Sequence, residues 1–303
     1  MQKIALERWH SPLGEHIPED MIADMRAQPR FVEALHLNAR ELLTRHYNDP
    51  ALHRSFIDGG RQFLGILALY LGATGGVTHR RLRDLAGEGN ILSTGRATAL
   101  LMQMRWMGYL QPVAESKRGV AKTYLPTSQL VSDCAFRVRI DMSALALVLP
   151  EIAPMLQQLD DRRVFDLFMA DFGASALSAS RETHVPTAPI SAFYLRSAGM
   201  ATLFAIYEYA AGESYRGVYG SAAIAATELA KQFGVSRTQI VRLLHDAERA
   251  GFVRQDTKQT SLEVQPAFVD LFETFWAIYF IGLVSSTCRT FRALSAGVPG
   301  GIA

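Results

Sequence analysis

The sequence predicts a mainly α fold with small β-hairpin wings: two helix-turn-helix repeats joined through a helical core. Two observations carry this. First, residues 84–109 (DLAGEGNILSTGRATALLMQMRWMGY) and 228–252 (ELAKQFGVSRTQIVRLLHDAERAGF) align with each other. Leu85-Ala86 meets Leu229-Ala230, Ser93 meets Ser236, Leu100-Leu101 meets Leu243-Leu244, and Gly108-Tyr109 meets Gly251-Phe252. The offset is 144 residues before the turn and 143 after it, so the first copy carries one extra turn residue. Internal self-similarity of this kind marks a repeated structural unit. Second, each copy follows an apolar helical run and precedes two strand-like runs, so the whole order of elements recurs.

Taken in chain order, residues 1–18 are punctuated by Pro12, Gly14 and Pro18 and read as irregular. Phe31, Val32, Leu35, Leu37, Leu42 and Leu43 recur at helical spacing between about Pro29 and Tyr47, until Asn48-Asp49-Pro50 stops the helix. Phe63–Leu71 is apolar nearly all round, as a helix buried on every side would be. Thr78 suits the N-cap of a helix to about Gly87, and Ser93 or Thr94 caps the next, to about Met107. Tyr109–Ala114 and Val120–Pro126 read as strands around the charged tip Glu115-Ser116-Lys117-Arg118-Gly119. Helix, turn, helix, hairpin is the order of a winged helix.

Asp141–Phe172 is helical in pattern, with interruptions at Pro150 and Pro154, and the small, polar stretch 173–190 reads as a linker or long loop. Met200–Ala210 is the apolar counterpart of Phe63–Leu71. The second module follows it, with a hairpin over Phe252–Val264 around Asp256-Thr257-Lys258-Gln259. A long apolar helix from about Pro266 to Arg289 closes the chain, and the tail SAGVPGGIA is expected to fray. This order divides the chain into residues 1–150 and 151–303, one winged-helix repeat with flanking helices in each, with the boundary inside 141–195.

With 49% hydrophobic and 20% charged residues, the 303-residue chain is composed to bury a core and is unlike a disordered polymer. The formal net charge of +2 says little about partners, but its distribution says more. Thr78–Pro126 holds eight Lys/Arg against three acidic residues (+5), and Ala226–Lys258 holds six against four (+2), which leaves the remainder at −5. Positive charge therefore gathers in the two modules, as a footprint for phosphate would.

Several function classes lose support. Cys134 and Cys288 are too few for a metal cluster and read as reduced core thiols. The eight histidines are scattered, read as surface or capping residues, and no HExxH, GxSxG or phosphate-loop pattern occurs. No catalysis, cofactor or metal is expected. The N-terminus lacks a signal-peptide stretch, and the apolar run Phe275–Val284 is shorter than the roughly 20 residues of a membrane span. A cytoplasmic location away from membranes is expected.

In the second module Ile240, Leu243, Leu244 and Ala247 are spaced to face a core, which turns Arg237, Thr238, Gln239, Arg242 and Asp246 outward. Gly234 suits a turn that needs positive φ. Ser236 caps the helix at the end that would enter a major groove. Arg can pair with guanine and Gln with adenine, while Ser and Thr hold phosphates. Arg254 and Lys258 stand where a wing would reach the backbone. In the first module Ala97, Leu100, Leu101 and Met104 take the core positions, while Thr94, Gly95, Arg96 and Gln103 take the outward ones beside the cap Ser93. Lys117, Arg118 and Lys122 make the first wing the more basic, and His79-Arg80-Arg81 offers further phosphate contacts. Arg96 stands opposite Gln239 and Ala99 opposite Arg242, so an operator read by both helices would be an imperfect palindrome.

On ELAKQFGVSRTQIVRLLHDAERAGFV at 228–253 and the hairpin after it, the chain resembles the MarR (multiple-antibiotic-resistance regulator) family of winged helix-turn-helix repressors. The resemblance implies a regulator of transcription that binds double-stranded DNA. It also implies a dimer core of terminal helices, here supplied in cis as a single-chain pseudo-dimer, which could pair again through 266–289. A small-molecule effector is implied as well, with Tyr70, Trp106, Phe204 and Tyr207 as candidate contacts. The wing departs from the family: its acidic-arginine tip is reduced to Asp256-Thr257-Lys258 in the second copy and replaced by Glu115-Ser116-Lys117-Arg118 in the first. The alternative is a winged-helix scaffold for protein–protein contact or dimerisation without direct DNA binding.

Overall fold

The computed structural model describes residues 6–11, 16–48, 58–88, 93–113, 122–179, 187–214, 221–222, 226–255 and 262–297. The protein is mainly helical with two small antiparallel sheets. Helices α1 (Glu19–Arg26), α2 (Phe31–Asn48) and α3 (Gly59–Ala73) lead into strand β1 (Val77–Thr78), α4 (His79–Glu88), α5 (Thr94–Trp106), β2 (Leu110–Pro112) and β3 (Thr123–Pro126). Helix α6 (Ser128–Val148), a 3-10 turn (Pro150–Ile152), α7 (Ala153–Gln158), α8 (Arg162–Ala179) and α9 (Ala188–Tyr194) follow. The order then repeats as α10 (Gly199–Ser214), β4 (Ser221–Ala222), α11 (Ala226–Gln232), α12 (Arg237–Arg249), β5 (Val253–Gln255) and β6 (Leu262–Val264), before α13 (Pro266–Ser295).

The two sheets have one topology. The strand orders are β1-β3-β2 and β4-β6-β5, antiparallel throughout, with Gln111 opposite Leu125 and Arg254 opposite Glu263. Neither β1 nor β4 is legible in the sequence. Each is two residues long and exists as a strand only through pairing with β3 or β6.

The helices end and begin for local reasons. Thr78 Oγ1 accepts the Arg81 amide at 3.1 Å and so caps α4. Thr127 caps α6, and Asp161 accepts the amides of Arg163 and Val164 at the start of α8. Two expectations are corrected here. Helix α6 starts at Ser128 rather than near Asp141, because Thr127 supplies the cap that the apolar periodicity does not reveal. Residues 173–179 are helical rather than linker. Gly173 lets α8 approach α3, since a Cβ there would stand 2.6 Å from Tyr70 Cβ. Residues 180–186 of the expected linker, both hairpin tips and residues 298–303 of the tail lie outside the described residues.

The chain forms two compact units, each assembled from separated segments: residues 1–25, 60–183 and 278–303, and residues 26–59 and 184–277. The expected boundary between 150 and 151 therefore falls inside the first unit. Side-chain bonds account for the interleaving. In the second unit α2 is tied to α10, because Glu208 accepts from Arg40 Nε at 2.7 Å and lies 2.6 Å from His36 Nδ1. His36 also stacks on Tyr207, so this histidine is a core residue and not the surface or capping residue expected of it. An aromatic chain of Phe193, Phe252, Phe268, Phe272, Trp276 and Phe204 continues that core, with successive ring centroids 5.4–6.2 Å apart. Each fully buried ring contributes on the order of 1.5–3 kcal/mol, and Phe252 brings this core directly beneath the end of α12.

In the first unit Arg289 holds Asp171 through two bonds of 2.7 and 2.8 Å, and also bonds Ser175 Oγ and the Ser11 carbonyl. Asp141, fully buried, accepts from Tyr279 Oη at 2.6 Å and pairs with Arg137. Among the described residues α13 is the one helix long and apolar enough to cross a membrane, and 44% of its most apolar window is buried inside the protein. It outruns its expected end at Arg289 because nothing interrupts it until Gly297, whose φ of +67° ends helical geometry. Cys134 and Cys288 are both buried and free, and burial raises both thiols, Cys288 to about 11.

Candidate nucleic-acid interface

Helices α5 and α12 are built alike, bond for bond. Each is 13 residues long. Ser93 Oγ accepts the Arg96 amide at 3.3 Å, and Ser236 Oγ accepts the Gln239 amide at 3.2 Å. At the other end Gly108 (φ +75°) and Gly251 (φ +72°) take the left-handed conformation. The Tyr109 amide then reaches Met104 O at 2.9 Å, as the Phe252 amide reaches Ala247 O at 2.8 Å. This is the Schellman closure, and a glycine carries its positive φ without strain. The return strand is anchored equivalently, by the Thr127 amide on Tyr109 O and the Gln265 amide on Phe252 O, each at 2.9 Å.

The inward faces match their expectation. Ala97, Leu100, Leu101 and Met104 are buried in the first copy, and Ile240, Leu243, Leu244 and Ala247 in the second. Gly234 has φ +57°, as its turn requires. The outward faces present Gly95, Arg96, Ala99, Met102, Gln103 and Trp106 on α5, and Thr238, Arg242, His245 and Arg249 on α12.

Of the candidate contact residues, Ser93, Thr94, Arg96 and Lys122 are exposed in the first copy, and Gln103 is half-buried. Ser236, Arg237, Thr238, Arg242 and Arg254 are exposed in the second. Lys117, Arg118 and Lys258 lie outside the described residues. Two residues expected to face a ligand are instead turned to the protein. Gln239 Nε2 donates to Ser197 O at 3.3 Å, and Asp246 pairs with both Arg196 and Arg249. The residues just before α10 thus grip one edge of α12. The hydrogen bond from Arg196, helped by Arg249, holds the Asp246 carboxyl below its ordinary value. Glu248 is lowered too, chiefly by accepting the Gln255 amide.

The basic run at the start of α4 is also partly committed. Arg81 donates to Gly76 O and Thr74 O, bracing the turn into β1. Arg80 and Arg83 both pair with Asp84. Two cations of α12 differ: Arg237 and Arg242 form no ion pair among the described residues. Sequence reasoning missed His245 and Arg249, although the 3.6-residue period places both on the Arg242 face. It also missed Arg196, whose role depends on a contact 50 residues away.

The aromatics named as effector contacts separate. Phe204 and Tyr207 are consumed in the second unit's core, and Tyr70 packs beside Gly173. Trp106 is 87% exposed. Among the described residues no group of three or more His, Cys, Asp or Glu could hold a metal ion. No protein-family model, curated protein or solved structure matches the chain.

Proposed function

We propose that the protein is a DNA-binding transcriptional regulator of the MarR-like, winged helix-turn-helix kind, carrying two non-identical reading helices in one chain. The observation that carries this reading is α12. Its serine-capped N-terminus, followed by exposed Arg237, Thr238 and Arg242, is mounted on a rigid buried face beside a three-stranded sheet whose β5 carries exposed Arg254. Donors at the start of a helix suit phosphates and groove edges, and Arg can read guanine bidentately. Helix α5 contributes Ser93, Thr94 and Arg96 at its own N-terminal turn. The assembly of each unit from segments far apart in the sequence suits a dimer core supplied in cis. A small-molecule effector and a cytoplasmic site of action belong to the same proposal.

Fluorescence anisotropy with a random-sequence duplex at two salt concentrations tests it. Binding that weakens steeply with salt is expected. Arg237→Glu with Arg242→Glu should weaken binding by more than tenfold and lower the salt slope by about 2. No binding at low salt, or binding without salt dependence, would overturn the reading.

A further inference from the structure

The outward faces of α5 and α12 occupy equivalent positions, yet their chemistry differs. Where α12 carries Arg242, His245 and Arg249, α5 carries Ala99, Met102 and Trp106. Met102 is 51% exposed and Trp106 87%, whereas the other two tryptophans, Trp9 and Trp276, are buried at 1% and 2%. The three apolar residues fall at i, i+3 and i+7, so they form one stripe along the helix. Arg96 and Arg105 flank it and are exposed, and α5 contains no acidic residue. Arg105 is held in place, with its guanidinium carbon 4.8 Å from the Tyr124 ring centroid and Nη1 3.7 Å from Met102 Sδ. Trp, Met and Arg are the residue types enriched at the centres of protein–protein interfaces.

We infer that this face of α5 is a docking surface for an acidic, amphipathic helical segment of a partner protein. Such a segment lays its apolar side chains against Ala99, Met102 and Trp106 and its carboxylates against Arg96 and Arg105. Two other occupants fit less well. Base edges in a major groove present donors and acceptors, and the side chains of Ala99, Met102 and Trp106 answer them with one donor, Trp106 Nε1. Trp106 also ends the helix, where the macrodipole repels phosphate. A second copy of the chain, related by a twofold axis through this face, would set the arginines Arg96 and Arg105 of one copy against the same like-charged pair of the other. The stripe offers roughly 300 Å², well below the ~800 Å² per partner of a stable interface. The inference holds whether or not α12 binds DNA.

The test selects peptides from a displayed library of random 15-residue sequences on the full-length protein, with counter-selection on a Met102→Ala, Trp106→Ala double variant. Enriched peptides should carry several Asp or Glu and an apolar pair at i, i+3 or i, i+4. They should shift the Trp106 emission to the blue, since the other two tryptophans are buried. Affinity for Trp106→Ala should fall at least 30-fold. A second variant, Met102→His with Trp106→Arg, installs the residues of the equivalent helix on a surface that does not carry the core, and should lose the peptides equally. Duplex DNA affinity should change less than twofold in Trp106→Ala, while Arg242→Glu affects DNA alone. Failure to enrich any such peptide, enrichment of basic or wholly polar peptides, or peptide binding that survives Trp106→Ala would overturn the inference. A tenfold loss of duplex binding in Trp106→Ala would overturn it in favour of DNA.

Discussion

Arg196 and Asp246 form an ion pair that pins the outward edge of α12 to the residues preceding α10, and Arg249 holds the second carboxylate oxygen. With the Gln239 bond to Ser197, it fixes how far α12 protrudes from its unit. The helix is thereby positioned by the turn and is not simply laid on the core.

This pair gives stability a pH dependence of defined sign. Asp246 is depressed in the folded protein, so its contribution is complete above the ordinary carboxylate range, about 4. It is lost as pH falls through the depressed folded value. Asp246→Asn should cost at most about 1 kcal/mol at neutral pH, since solvent screens a pair this exposed. The difference from wild type in urea unfolding should vanish in strong acid, and a carboxyl resonance titrating below its ordinary value should disappear from the NMR spectrum.

The two serine caps have equivalent geometry and should cost alike. Ser93→Ala and Ser236→Ala each leave one amide at a helix start without its acceptor. A loss of about 1 kcal/mol in each, measured by chemical denaturation, is expected. A Ser→Asp replacement at either position should recover most of it.

Glycine replacements should have opposite signs in two helices. At Gly173 a new Cβ would press on Tyr70 and approach Ile66 O at 3.5 Å, so Gly173→Ala should destabilise by about 1–3 kcal/mol. At Gly95 nothing lies within 4 Å of the new Cβ, and the residue is helical. Gly95→Ala should therefore stabilise by about 0.5–1 kcal/mol, the difference in helix propensity. Thermal melts of the two variants read both signs.

Arg289 anchors α13 to α8 through Asp171 in largely buried surroundings. Removing it leaves a carboxylate and the Ser11 carbonyl without their donor, so Arg289→Ala should cost about 3 kcal/mol. Asp171→Asn in that background should cost little more. The non-additivity of this double-mutant cycle measures the coupling.

The module helices were legible in the sequence because their determinants are local. A serine cap and apolar residues at helical spacing lie within about a dozen residues of one another, and both expectations meet their counterparts in α5 and α12, as the positive φ expected of Gly234 does in the turn before α12. The misread places have distant causes. Gln239 and Asp246 read as outward by period, yet Ser197 and Arg196 approach from beyond α10's start. His36 read as a surface residue because nothing near it in sequence reveals Glu208 and Tyr207. Residues 173–179 read as linker because their small side chains carry no apolar period, although that smallness lets α8 approach Tyr70.

By itself the sequence determined the repeat, the two serine-capped helices, the apolar character of α3, α10 and α13, and the contrast between Ala99 and Arg242. Each is a matter of residue type at fixed spacing along one backbone. Only the tertiary structure decided which segments share a unit, which outward polar groups are already taken, and that Trp106 stands in solvent while Phe204 and Tyr207 are buried. Those outcomes depend on side chains brought together from far apart in the chain, where burial and pairing are settled by packing, and no local spacing encodes them.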